Sequence, residues 1–161
     1  MLSEVTARVS NAHARALQVS VQAFVRSFGL LVTKQTPCGQ PLTPSHAHAL
    51  LVLLEREERG ITTRQSELAN RLGLDKSSIA RLCERLEADA HAAQHPAPDD
   101  GRSRLLELTP RGRRMASTIQ AASLARFRRV AEGVPPTKRQ ALLESLRLLT
   151  AAVQALGAAE P

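Results

Sequence analysis

Apolar residues recur along most of this chain three and four positions apart, the period of a helix with one buried side. Over residues 3–33, Leu17, Val21, Phe24, Phe28 and Leu31 form one stripe; Val5, Val9, Ala12, Ala16 and Val19 form a weaker one. A helix with two apolar stripes is unstable alone and needs more than one neighbour. Pro37, Gly39 and Pro41 predict a loop next. Thr43 and Pro44 then provide a cap and a first helical residue, and Leu50, Leu51 and Leu54 provide the buried side of a helix ending before Gly60. Thr62 and Gln65 predict a capping box for a short helix closing at Gly73. Asp75 caps a further helix over residues 75–88, with Ile79, Leu82, Cys83 and Leu86 on one side.

The period then changes. HAAQHP and SRLLELT read as two short strands around a turn at Pro98, Asp99, Asp100 and Gly101, with Leu106 and Leu108 alternating with Leu105 and Glu107. Thr109 and Pro110 repeat the cap-then-proline start and open a helix to about residue 132. Pro135 and Pro136 break the chain. A last helix to about residue 156 carries Leu142, Leu146, Leu149, Val153 and Leu156 at coiled-coil spacing.

The outer side of residues 75–88 carries Ser77, Arg81 and Glu84, flanked by Ser78 and Arg85. Two short helices, a tight turn with glycine and an outward Arg and Ser face make the pattern of a helix-turn-helix, whose second helix lies in a DNA major groove. With the hairpin behind it, the unit reads as a winged helix. The expected fold is mainly α: a winged helix-turn-helix with a two-stranded wing and long helices at both termini. The apolar stripes on both ends lack a long intrachain partner, so a two-fold pair of chains that interleaves them is expected. Residues 1–41 and 110–161 would form that helical dimerisation region, and residues 42–109 the DNA-binding unit.

Composition narrows the partners. The chain has 161 residues and a net charge of +7, which favours a polyanion. No apolar run approaches the roughly 20 residues of a membrane span, and the polar N-terminal stretch does not resemble a signal peptide. Two cysteines, Cys38 and Cys83, are too few to staple a secreted fold, so a cytoplasmic setting is expected. Aromatic residues make up 2 %, which leaves little for single-stranded bases to stack on and leaves duplex binding untouched. There is no phosphate-binding glycine loop, no HExxH and no nucleophile with a paired base, so no enzyme and no cofactor are expected.

LTPSHAHAL, SELANRLGLDKSSIARLCERLE and PDDGRSRLLELTPRG together resemble the multiple antibiotic resistance regulator (MarR) family, the wing segment with its Leu-Thr-Pro-x-Gly ending being the most specific part. The resemblance implies a homodimeric regulator, most often a repressor, that binds a palindromic duplex operator and is released by a small aromatic or anionic ligand. It places Ser77, Ser78, Arg81 and Arg85 nearest the bases and phosphates, with Lys76 on a phosphate. At the wing it pairs Asp100 with Arg102 and sends Arg102 into the minor groove; Arg104 belongs to the same basic wing. The physical chemistry agrees. Arg81 has the fork to read guanine O6 and N7, Ser77 is a smaller donor or acceptor, and an Arg on a narrow tip suits the focused potential of a minor groove. Thr63 and Arg64, at another helix start, are expected on backbone phosphate.

Some features depart from the family pattern. Ala90 stands where the family has glycine, unfavourable if that backbone needs positive φ. Ala92 and Ala93 are poor strand formers, and Gln94 and His95 replace basic residues, so a looser wing with reduced DNA affinity is expected. The alternative function is therefore a dimer of the same fold with weakened DNA binding, acting through protein contacts. His46 and His48 point to different helix faces and make no metal pair. His91 and His95 with Asp99 and Asp100 could hold zinc, but are expected to be solvated, so no metal site is assigned. Cys38 could be an oxidisable thiol, against the expectation of an inert one.

Overall fold

The computed structural model describes residues 8–29, 36 and 42–157. Its elements are α1 (Asn11–Phe28), α2 (Pro44–Glu58), β1 (Thr63–Arg64), α3 (Gln65–Leu72), α4 (Lys76–Ala88), β2 (Ala92–Ala97), β3 (Asp100–Leu108), α5 (Pro110–Glu132) and α6 (Pro136–Gly157). They fall into two compact units, Met1–Gln120 and Ala121–Pro161, with α5 running through the boundary. The winged helix-turn-helix lies in the first unit. No helix among the described residues is long and apolar enough to cross a membrane.

The core of that unit gathers one side each of α2, α3, α4, β3 and the start of α5. Leu50, Leu53 and Leu54 of α2 meet Leu68 of α3, and Ile79, Leu82, Cys83 and Leu86 of α4. Leu106 and Leu108 of β3 and Ala116 and Ile119 of α5 close it. All four residues expected on the inner side of α4 are buried; Leu51 is only half-buried. The Cys83 thiol is pushed up to about 11 by burial, so it is an inert core residue.

The sheet is antiparallel in the order β1-β3-β2, one strand more than the sequence suggests. β2 and β3 pair from Ala92↔Leu108 to Pro96↔Arg104; the register then shifts, and Ala97 pairs with Asp100. The turn is thus tighter than the expected one, with only Pro98 and Asp99 at the tip. β1 pairs Thr63 with Leu106 and Arg64 with Leu105. Arg56 makes this edge possible: its Nε donates to the Thr63 hydroxyl at 2.9 Å, and its Nη2 to the Thr62 carbonyl at 2.7 Å and to Glu67 at 2.8 Å. Thr62 therefore does not cap α3. The helix starts at Gln65, and the Glu67 carboxylate accepts the Arg64 backbone N–H at 2.8 Å. That bond, foremost, holds the Glu67 carboxyl below its usual range.

The first helix is shorter than the expected span. Ser10 accepts from the His13 N–H and starts it, and Gly29 at φ 80° ends it. Residues 3–7 and 30–35 lie outside the described residues, as does Cys38. Thr43 and Pro44 start α2 as expected. At α5 the Thr109 hydroxyl accepts the Gly112 N–H at 3.0 Å and donates to the Ala90 carbonyl at 2.6 Å, tying the helix start to the strand that leaves α4.

Besides α1, three helices of this unit end in a left-handed cap. After α2, Gly60 and Ile61 donate to the carbonyls of Glu57 and Arg56; after α3, Gly73 and Leu74 donate to Asn70 and Ala69. After α4, Ala90 and His91 donate to Glu87 and Leu86. Gly60 and Gly73 take the positive φ without strain; Ala90 takes it at φ 55°. The positive φ anticipated for that position is therefore present. Ala90→Gly will raise stability by about 1 kcal/mol, about 2–4 °C in melting temperature; an unchanged midpoint contradicts this.

β2 is tied in at both ends and to α4. Ala92 and Ala97 are buried, and Gln94 donates from its backbone and side chain to Glu87 at 3.3 and 3.1 Å. Ala92, though small, thus joins the apolar core of the unit at the root of the wing.

Candidate nucleic-acid interface

The first turn of α4 is held by one carboxylate. Asp75 accepts the N–H groups of Ser77 and Ser78 at 2.8 and 2.9 Å and their hydroxyls at 2.7 and 2.8 Å. These bonds, the Ser78 N–H foremost, hold the Asp75 carboxyl well below the usual carboxylate range, so it stays charged at the positive end of the helix. The cost falls on the serines. Each hydroxyl spends its hydrogen on Asp75, leaving Ser77 and Ser78 their oxygen lone pairs to accept with.

Lys76, Ser77, Arg81, Glu84 and Arg85 are exposed on the outer side of α4, and Ser78 is half-buried. Among the described residues no ion pair engages Lys76, Arg81 or Arg85, and Glu84 does not pair with Arg81. Ser78, Arg81 and Arg85 line a cleft of about 380 Å³ with Thr43 and Ser45 at the start of α2. On the other flank Lys76 shares a groove of about 470 Å³ with Gln65 and Asn70 of α3 and with Asp100, Arg102 and Arg104 of the wing. The fold thus brings Lys76, Arg102 and Arg104, distant in sequence, to one groove beside the outward face of α4.

The wing is braced differently from the expectation. Asp100 accepts the Arg102 backbone N–H at 3.0 Å, so it shapes the tip and leaves the guanidinium exposed. The side-chain clasp is Arg64 with Asp99: one guanidinium nitrogen lies 2.7 and 2.6 Å from the two carboxylate oxygens, and the other donates to Ser103 at 3.1 Å. This hydrogen bond is the main cause of a raised Arg64 pKa and a lowered Asp99 pKa. Thr63 is 3 % exposed, with its hydroxyl engaged by Arg56. Thr63 and Arg64 do stand at the start of α3, with Arg64 as its N-cap, but they also form β1: Thr63 is buried and Arg64 is paired with Asp99.

Replacing Asp99 by asparagine removes a negative charge from this face and releases Arg64. Asp99→Asn will bind duplex DNA several-fold more tightly at low salt and steepen the slope of log affinity against log salt by about one. An unchanged slope contradicts the clasp's part in setting the charge of the face.

The histidines also regroup. His91 and His95 do not form a metal set with Asp99 and Asp100, because His91 turns inward and is buried. Its Nδ1 lies 3.0 Å from Nε2 of His46, and the rings meet edge to face. His95 stays exposed, 3.8 Å from Glu107. Burial, first of all, lowers the pKa of both His46 and His91, so both rings are neutral at neutral pH.

The family model described as "MarR family" matches residues 40–103, a span that takes in α2, α3, α4 and β2 and ends in β3. The uncharacterized Mycobacterium tuberculosis protein Rv2011c is 33 % identical over 98 residues, covering 61 % of this chain and 67 % of that protein. A probable transcriptional regulator from Pseudomonas aeruginosa superposes with a TM-score of 0.64 at 27 % identity, over 81 % of this chain and 93 % of that one. The PcaV transcriptional regulator of Streptomyces coelicolor, solved with its natural ligand, shares the fold at a TM-score of 0.66 and 23 % identity, over 92 % of this chain and 99 % of that one. The helix order, the wing with its Thr109-Pro110-x-Gly112 ending and the matching family model agree: the chain belongs to the MarR family of winged helix transcriptional regulators, which are not enzymes.

Proposed function

We propose that two copies of this chain pair through residues 1–41 and 110–161 and that the dimer, in the cytoplasm, represses transcription at a palindromic duplex operator. Residues 42–109 dock, with Arg81, Arg85, Ser77 and Ser78 toward the major groove and Lys76 on a phosphate. Arg102 and Arg104 approach the minor groove and its backbone. The observation that carries the docking is the convergence on one side of exposed cations from α4 and the wing that have no ion-pair partner among the described residues, beside Ser77 and Ser78, whose hydroxyls are left to accept. Two such faces one DNA turn apart, roughly 34 Å, read one palindrome.

Pairing is supported by apolar side chains left at the surface of one chain. Leu17 is 47 % exposed and Phe24 52 % on α1; on α6, Leu142 is 42 %, Leu146 45 % and Val153 60 % exposed. Apolar rows of this length are an interaction surface rather than ordinary surface scatter. PcaV, of the same fold, is solved with its natural ligand. We carry over a small aromatic or anionic ligand that releases DNA by changing the separation of the two α4 helices.

The test is selection of bound duplexes from a random pool, with and without phenolic ligands, alongside the chain's mass in solution. A dimer enriching one palindrome, and losing it with one ligand, is the expected result. A monomer, or a pool without enrichment, overturns the reading. The rival, a dimer acting through protein contacts, draws on the strain at Ala90; no duplex shift at either of two salt concentrations decides for it.

A further inference from the structure

The inward turn of His91 builds a cluster that the DNA-binding reading does not use. His46 comes from the first turn of α2, Asp89 closes α4, and His91 precedes β2. One ring nitrogen of each histidine and one Asp89 carboxylate oxygen lie within 4.8 Å of one another. Both histidines are buried, at 1 and 3 % exposure, whereas the Asp89 side chain is 46 % exposed and opens the cluster to solvent. His91 turns its Nδ1 toward His46, while its buried Nε2, on the far side of the ring, has no hydrogen-bond partner among the described residues and carries the ring hydrogen when Nδ1 binds a cation.

We propose that His46, His91 and Asp89 bind one divalent cation of the zinc class per chain, pinning the root of the wing to α2 and to the end of α4. The donor set is two imidazoles and a carboxylate, with one position left for water, which zinc accepts readily. Zinc–nitrogen bonds of 2.0–2.1 Å place two nitrogens about 3.3 Å apart in a tetrahedron. His46 Nε2 and His91 Nδ1 stand 3.0 Å apart, so to aim both nitrogens at one cation the rings part by a few tenths of an ångström and each tilts by roughly 35°. The hydrogen they share moves to the far nitrogen of its own ring, so two neutral rings take up the cation without net proton release. Arg85 and Arg111 oppose a cation here, since each depresses protonation of one histidine. The carboxylate of Asp89 acts the other way on both, at 3.8 Å from His46 Nδ1.

The test uses full-length protein freed of metal with a chelator, titrated with zinc chloride near neutral pH and followed by calorimetry and melting temperature. Cobalt substitution reports geometry through its visible bands. One zinc per chain, a rise in melting temperature and tetrahedral cobalt bands are expected. His46→Gln and His91→Gln should each weaken uptake at least tenfold. Asp89→Asn, which alters only an exposed side chain, should do the same while leaving metal-free stability unchanged, so a folding defect cannot mimic the result. No saturable uptake at one equivalent overturns the proposal. So does uptake that survives Asp89→Asn and His46→Gln unchanged, which would place the zinc on exposed groups such as His48 or His95.

Discussion

Arg81→Ala will weaken operator binding by about 1–3 kcal/mol and relax the preference at a single base position of each half-site. Arg81 stands on the outer side of α4, one turn beyond the segment that Asp75 fixes, and among the described residues it has no ionic partner to lose. Its truncation therefore leaves the fold alone and removes a fork able to hold guanine O6 and N7. The contrast is Arg102→Ala, which should weaken all sequences evenly and flatten the salt slope by about one. Binding measured on the selected operator and on each single-base variant distinguishes the two. An Arg81→Ala protein with unchanged affinity and the same base preferences would contradict the proposed docking of α4.

Gly112→Ala will cost the winged unit about 3 kcal/mol, lowering its melting temperature by about 6–12 °C. A Cβ at Gly112 would overlap the carbonyl oxygen of His91 and sit 2.6 Å from its carbonyl carbon. The obstacle is backbone, so no rotamer change relieves it. The same carbonyl accepts the Thr109 N–H at 3.1 Å, so the start of α5 cannot retreat without giving up that bond. The glycine of the Leu-Thr-Pro-x-Gly ending thus has a mechanical meaning: it lets α5 lie directly on the root of the wing. A melting temperature equal to that of the parent would show that the helix start moves away at little cost.

Ala90, His91, Thr109 and Gly112 form one junction, and this explains how far the chain could be read in advance. Helices α2, α4, α5 and α6, the outward face of α4 and the hairpin follow from signals a few residues long. Thr43, Asp75 and Thr109 cap, Pro44 and Pro110 start helices, and the apolar period marks the inner sides. Each signal acts on its own turn of backbone, so distant context does not alter it. The positive φ at Ala90 is foreshadowed only by the resemblance, which puts glycine at that position; alanine itself carries no local signal for it.

Partnership across long chain separations is another matter. Thr63 and Arg64 read as a helix start, and Arg64 is indeed the N-cap of α3, but no local signal says that β3 will also pair with them. Once they join the sheet edge, Arg56 takes up the Thr63 hydroxyl and Asp99 pairs with Arg64, so each has a partner within the chain. His46 and His91, 45 positions apart, meet only because α2 and the wing root pack on the same end of α4. Backbone geometry over one or two turns is thus written in neighbouring residues. Which charges remain available to DNA, and which imidazoles face each other, is decided by where the packed elements bring their side chains.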